Sequence, residues 1–307
     1  MKCLVSGATG FIGRHLCQQL AARGDTVIAL SKSGATLPDG TPTLALDLAA
    51  HDLPEDYLSR VDVVFHLAGI AHQNATPGVY EQLNYQATLR LARQAASAGV
   101  GCFIFLSSVK AMGPSHTAAP RSESQCAAPS DPYGISKWRA ECALREQFAD
   151  DRMSIVILRP ALVYGHEPKG NLRLLARGVR WGLPRPPAVG RRSMLALPDL
   201  VQLLCLLASS PASGVSTWIA CGEHGYSTRD IYDCLRSVAG RGRGVAWLPL
   251  WGWRLAAALL DLGTSPGGES TYDKLFGTEL YSNAALLAAT DWRPRSRLEQ
   301  VLGAARV

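Results

Sequence analysis

The stretch VSGATGFIGRHL, Val5–Leu16, decides how the chain folds. It sets Gly7, Gly10 and Gly13 between a short β-rich run and an amphipathic run of helical period. Glycine lets a backbone turn tightly and lets a bound group approach the main chain. A pyrophosphate seated there meets the unpaired N–H groups that open the helix. The spacing is GxxGxxG rather than GxGxxG, so the triplet gains its meaning from the strand before it and the helix after it.

Outward from this turn, short apolar runs alternate with helix-like segments. The runs are CLVSG, TVIAL, DVVFHLAG, CFIFLSS and SIVILRP, and the helical stretches lie near 11–23, 79–98 and 133–149. Such alternation predicts an α/β fold, a Rossmann-type doubly wound parallel sheet covered by helices on both faces. From about His166 the chain turns rich in Gly, Pro and Arg, and STWIAC reads as one strand returning to the sheet. The expectation is a dinucleotide-binding domain over 1–165 with a return segment near 196–222. A smaller, interleaved substrate domain is expected over 166–307.

Bulk properties suit small anionic molecules better than a nucleic acid. The chain has 307 residues, 47% of them apolar, a formal charge of +6 and a pI near 8.9. That charge is too thinly spread for a nucleic-acid track. The apolar segment WLPLWGWRLAAALLDL is interrupted by Pro249, Gly252, Arg254 and Asp261, and is too short to span a bilayer. Its tryptophans 247, 251 and 253, with Arg241, Arg243 and Arg254, could rest at a lipid interface, although a packed helix is the plainer reading. The eight cysteines show no metal-ligand spacing, and neither His66 nor His72 has a ligand partner, so no metal is expected. No basic apolar leader precedes the first strand, so reduced thiols and a cytoplasmic location are expected.

DPYGISKWRAE holds Tyr133 and Lys137 four residues apart, on one face of a helix. A phenol titrates near ~10 and needs a nearby cation before it exchanges protons at neutral pH. Ser108 closes CFIFLSS at the carboxyl edge of a predicted strand, where α/β sites lie. Its hydroxyl could hold a carbonyl oxygen while Tyr133 passes a proton.

Taken together, these motifs resemble the extended short-chain dehydrogenase/reductase family, and within it the nucleotide-sugar epimerases, dehydratases and ketoreductases, over nearly the whole chain. The resemblance implies a catalytic set of Ser108, Tyr133 and Lys137. It implies coenzyme contacts from Gly7, Thr9, Gly10, Phe11, Ile12, Gly13 and Arg14 in the opening turn. Asp47 and Leu48 of LALDL would meet the adenine, and Leu67, Ala68 and Gly69 of FHLAG would follow. Asn84 would bend its helix, Ser107 would adjoin the coenzyme, and Pro160, Ala161 and Val163 would lie beside the nicotinamide. Substrate would be met by His72, Ser108, Lys110, Tyr133, Asn171, Leu172, Arg191 and Arg192, with Lys110 left between substrate and solvent. A homodimer through the helices of Asn84 and Tyr133 is a further implication of the resemblance.

Two departures narrow this reading. Val109 and Lys110 stand where 4,6-dehydratases of the family carry an Asp–Glu pair, which disfavours dehydration. VIALSKSG, Val27–Gly34, has Ser31 where the 4-epimerases place an acid. A carboxylate there binds ribose hydroxyls of NAD and repels a 2′-phosphate. Ser31, Lys32 and Arg14 could instead receive that phosphate, so NADPH is expected ahead of NAD. A coenzyme consumed at each turnover points to net reduction. FLSSVKAMG, PSDPYGISKW and KGNLRLL look most like the branch that reduces UDP-4-keto-6-deoxy-N-acetylglucosamine to UDP-N-acetylquinovosamine for bacterial surface polysaccharides. The rivals are a 4-epimerase with tightly held NAD and a non-catalytic NADPH-binding sensor.

Overall fold

The computed structural model describes residues 1–71, 75–115, 117–166, 170–262 and 270–303. Seven strands build one parallel sheet. They are β1 (Lys2–Ser6), β2 (Thr26–Ser31), β3 (Leu44–Ala45), β4 (Val63–His66), β5 (Cys102–Leu106), β6 (Ser154–Pro160) and the late-coming β9 (Val215–Ala220). Their spatial order is β3-β2-β1-β4-β5-β6-β9, so the sequence direction reverses about β1 and a crevice opens beyond its carboxyl end. Strands β4 and β5 are buried along their whole length, the state that their unbroken apolar runs require.

Helices cover both faces. On one, α1 (Gly13–Ala22) and α6 (Leu197–Ser209) pack Leu16, Leu20, Leu200 and Leu204 over Val5, Phe65 and Ile104. On the other, α3 (Ala87–Ser97) and α4 (Pro132–Gln147) set Leu91, Ala95, Ala140 and Leu144 over Leu4, Phe103 and Ile155. A four-residue helix, α2 (Pro77–Tyr80), and a π-helical turn over Glu81–Gln86 lead into α3.

Beyond β6 the chain builds a second layer. Strands β7 (Leu162–Tyr164), β8 (Arg192–Ala196) and β10 (Gly225–Tyr226) form a small mixed sheet in the order β10-β8-β7. Around it lie α5 (Gly170–Arg180), α7 (Thr228–Val238), α8 (Leu250–Asp261), α9 (Thr271–Phe276) and α11 (Leu298–Gly303), whereas α10 (Ala284–Ala289) returns beside β9 and buries Leu286 in the core of the large sheet. Leu172, expected at the substrate, turns its side chain into the core of this layer with Tyr164, Met194, Ile231 and Leu298. That placement corrects the sequence expectation for the side chain: a leucine on the inward face of an amphipathic helix gains more from burial than from lining a polar cleft.

The strand β3 pairs with β2 through Leu30 and Ser31 and was read from sequence only as part of LALDL. Trp253 is buried, unlike its neighbours Trp247 and Trp251, so the three tryptophans do not share one surface.

Candidate functional site

The glycine turn has the shape that a dinucleotide requires. Gly7 adopts φ +70, and a side chain on it would come within 2.8 Å of the Ala68 nitrogen. A side chain on Gly13 would strike the Gly7 carbonyl and come within 2.9 Å of the Ala8 Cα. The Gly10 N–H donates to the Gly7 carbonyl at 2.9 Å, closing the turn. Thr9 and Gly10 are exposed at its tip, while Phe11, Ile12 and Arg14 are half-buried at the start of α1. No acid occupies the first turn of α1, whose N-terminal end therefore offers N–H groups to an anion. These residues fit the pyrophosphate of a dinucleotide.

Beside them, β1, β4 and α3 share a buried polar chain. The Thr88 hydroxyl donates to the Asn84 carbonyl at 2.8 Å and so accepts from His66 Nε2 at 2.9 Å. His66 Nδ1 then accepts from the Ser6 hydroxyl at 2.7 Å, and Ser6 Oγ accepts the Ala68 N–H at 3.2 Å. This fixes a neutral imidazole under the Leu67–Gly69 segment. Burial pushes the His66 pKa down to about 3, and the charge of Lys137 adds to the shift. Native His66 therefore stays neutral while the unfolded residue protonates near 6.5. Stability is full above pH 6.5 and falls as pH drops toward 3, by about 2–3 kcal/mol at pH 4.5. Urea titrations at pH 7 and 4.5 check this, and His66→Gln should flatten the difference.

The π-helical turn aims Asn84 across the same crevice. Its Oδ1 accepts the Ile70 N–H at 2.8 Å, and Nδ2 donates to the Ile70 carbonyl and to Ser136 Oγ, each at 3.0 Å. Asn84 thereby ties the loop after β4 to α4. A Cβ on Gly69 would lie 3.0 Å from Asn84 Oδ1 and 3.3 Å from Lys137 Nζ, which explains the glycine.

The sequence DPYG sets the start of α4. Asp131 Oδ1 caps it by accepting the Gly134 N–H at 2.9 Å, and Pro132 occupies the first turn. Gly134 is required because a Cβ would come within 2.7 Å of the Lys110 carbonyl. Tyr133 then falls on the first turn, hydrogen-bonded to Ser108, which caps the 3₁₀ turn Val109–Met112 past the end of β5. Burial pushes the Tyr133 phenol up to about 12, and the Ser108 hydrogen bond pulls only partly against it. The sequence reading expected a cation to lower it. Lys137 instead donates from Nζ to the Leu106 carbonyl at 2.9 Å and sits 4.6 Å from the centre of the Phe105 ring. Burial draws the Lys137 pKa down to about 8, against an upward pull from Glu141.

Glu141 escaped the sequence reading. It is fully buried one turn beyond Lys137 and accepts from Ser107 Oγ at 2.6 Å, so Ser107 is a buried support under Ser108. The i, i+4 spacing of Lys137, Glu141 and Arg145 was the available signal.

At the adenine side, two expectations change. Ser31 is buried, accepts the Gly34 N–H at 3.0 Å and lies 2.7 Å from Thr43 Oγ1. Thr43 donates onward to the Ala35 carbonyl, so the Ser31 proton goes to Thr43 and none is left for a phosphate. Lys32 pairs with Asp47 Oδ2 at 2.8 Å, and this pairing holds the Asp47 carboxyl below its usual range. The rim is thus not free of acid. Leu48 is buried in the core, and Asp47 also accepts the Ala49 N–H at 3.0 Å.

At the other end, Pro160 and Ala161 are buried where β6 leaves the sheet, and Val163 is half-buried on β7. Lys110 Nζ, expected at substrate or in solvent, meets Glu279 Oε1 at 2.9 Å. Arg192 Nη1 stands 3.5 Å from Glu279 Oε2. Burial works against the Glu279 anion, yet Lys110 and Arg192 hold its carboxyl below its ordinary value. Glu279 has no local motif, and its partners are 87 and 169 residues distant by count. Arg191 lines a cavity of about 420 Å³ with Gly190, Ser227, Asp230 and Leu280. His72 lies outside the described residues, as does the side chain of Asn171. Among the described residues no cluster of His, Cys, Asp or Glu could hold a metal.

Comparisons with known proteins agree with this architecture. The UDP-glucose 4-epimerase of Vibrio cholerae is 29% identical, covering 97% of this chain and 92% of its own. The 2′-dehydrokanamycin reductase of Streptomyces kanamyceticus is 29% identical over 93% of this chain and 79% of its own. The structure of MoeE5 in complex with UDP-glucose and NAD superposes with a TM-score of 0.77 at 25% identity, over 98% of this chain and 96% of that one. The sequence profile that carries the glycine turn, the Asn84 helix and the Tyr133–Lys137 helix matches residues 3–218, and the chain belongs to the NAD dependent epimerase/dehydratase family.

Proposed function

We propose that this protein reduces the 4-keto group of a UDP-4-keto-6-deoxy-N-acetylhexosamine with NADPH. The carrying observation is the Ser108–Tyr133 pair at the carboxyl end of β5, with a phenol that is protonated throughout the neutral range. A protonated donor suits a ketone that gains a proton. The coenzyme, when bound, supplies a hydride. Gly7, Gly10 and Gly13 would receive its pyrophosphate, and Asp47 the adenine. Ser108 holds the carbonyl oxygen, Tyr133 gives its phenolic proton to the forming alkoxide, and Lys137, one turn along α4, would bind the ribose. Arg191 and Arg192 grip the diphosphate beside the 420 Å³ cavity and orient the sugar. Asn171 and His72 complete the proposed sugar contacts. NADPH is favoured because β2 ends without a carboxylate; its 2′-phosphate would draw Lys32 from Asp47.

A second reading, UDP-hexose 4-epimerisation with retained NAD, has its own support in the Lys32–Asp47 pair and the extended similarity to the Vibrio cholerae epimerase. Incubation with NADPH and the keto sugar nucleotide separates the two. Falling absorbance of the reduced coenzyme is expected. Flat absorbance with conversion of UDP-N-acetylglucosamine to its C4 epimer would replace reduction by epimerisation. Lys32→Ala should weaken NADPH about fivefold relative to NADH, as befits one exposed charge on a phosphate. Equal effects on both coenzymes in a binding titration would remove the phosphate role.

A further inference from the structure

We propose that the face carrying α8 is a peripheral membrane-binding surface that seats on an anionic lipid bilayer. The outward stripe of this helix is large and apolar: Trp251 is 68% exposed, Leu255 56% and Leu259 60%, and Leu262 just past its end is 82% exposed. On a helix of 3.6 residues per turn, these four share one narrow sector. The opposite side is anchored, with Gly252, Trp253 and Ala257 buried and Trp253 edge-on to Phe276 at 5.6 Å between ring centres.

The stripe continues across neighbouring loops. Arg241 donates to the carbonyls of Val179 and Arg180 at 3.1 and 3.2 Å, and the Arg185 N–H donates to the Val245 carbonyl at 3.0 Å. The segment 241–247 thus lies against the end of α5, and brings Trp247, 67% exposed, toward Trp181, 80% exposed. Large apolar side chains left exposed along one helix and on the loops beside it mark an interaction site.

Charge selects the occupant. Arg177 lies 5.6 Å from the centre of the Trp181 ring, Arg180 ends α5 beside the loop of Arg241 and Arg243, and Arg254 stands on α8, while the carboxylate of these elements, Asp261, is taken up by the Thr271 N–H. A second copy would present the same cationic rim and be repelled. Anionic headgroups complement it, while tryptophan rings settle at headgroup depth and leucines reach the acyl boundary. The surface is independent of the reaction and stands whichever sugar the crevice takes.

Sedimentation of the full chain with vesicles tests the assignment. Vesicles of phosphatidylcholine with phosphatidylglycerol should carry the protein down, less so as salt rises, whereas phosphatidylcholine alone should leave it in solution. Tryptophan emission should shift to the blue on binding. The double variant Trp251→Ser, Leu255→Gln should lower the bound fraction about tenfold with an unchanged unfolding temperature. Native protein that stays in the supernatant with anionic vesicles at low salt overturns the proposal. So does a native mass that the double variant halves without any vesicle binding, which would assign the face to a second copy.

Discussion

Tyr133→Phe should lower turnover by about 10²–10⁴-fold while leaving coenzyme affinity and unfolding temperature near those of the native protein. The phenol is the proposed acid of the Ser108–Tyr133 pair, and its ring packs 6.3 Å from Tyr80 between centres. Phenylalanine keeps that packing and removes the hydroxyl, with its proton and its hydrogen bond to Ser108. With the phenol pushed up to about 12, the acid form prevails across neutral pH, so the reductive rate should be flat there with respect to this group. Oxidation of an alcohol needs the phenolate and should instead quicken as pH rises toward 12. Single-turnover measurements in both directions read these limbs separately. A Phe variant that retains even a third of native turnover would remove Tyr133 from the chemistry and leave the sensor reading in its place.

The sequence carried the sheet because burial on both faces leaves a mark in composition. SIVILRP spans β6 from end to end, and CFIFLSS runs through β5 to the serine pair. The glycine turn was equally legible, since each glycine answers a steric demand within a few residues or from the adjoining strand. The first turn of α4 could be read for the same reason: Asp131, Pro132 and Gly134 act locally. What stayed hidden was pairing over long separations. Glu279 reaches Lys110 and Arg192 only after α8, α9 and the small sheet are in place, and no spacing rule connects them. Ser31 looked like a free donor because Thr43, its acceptor, comes from the far side of a loop. Lys32 looked unopposed because Asp47 was assigned to adenine alone. Electrostatic readings from isolated residues fail in this manner: a charge is counted before its partner is found.

Glu141→Gln is the stability counterpart, with an expected loss of about 3–5 kcal/mol and a fall in unfolding temperature on the order of 10 °C. Glu141 accepts from Arg159 Nε at 2.9 Å and Nη2 at 2.6 Å, from Arg145 Nη2 at 2.9 Å and from Ser107. Arg159 is itself buried; burial works against its cation, and Glu141 more than offsets that, holding its pKa above the ordinary range. Glutamine keeps the shape and removes the charge, which strands a buried guanidinium. Glu141→Leu with Arg159→Met deletes both charges and should recover at least half of the lost stability, because apolar packing replaces a desolvated pair at little net cost. Turnover should not recover with it. Ser107 would lose the acceptor that fixes the strand end beneath Ser108, and Lys137 would lose the anion that props up its pKa from about 8. Lys137 would then deprotonate at lower pH, and the alkaline limb of the rate profile should move toward neutrality. Recovery of both stability and turnover in the double variant would reduce Glu141 to a packing role, whereas a restored fold with a shifted pH profile identifies it as the positioning residue of the Ser108–Tyr133–Lys137 set.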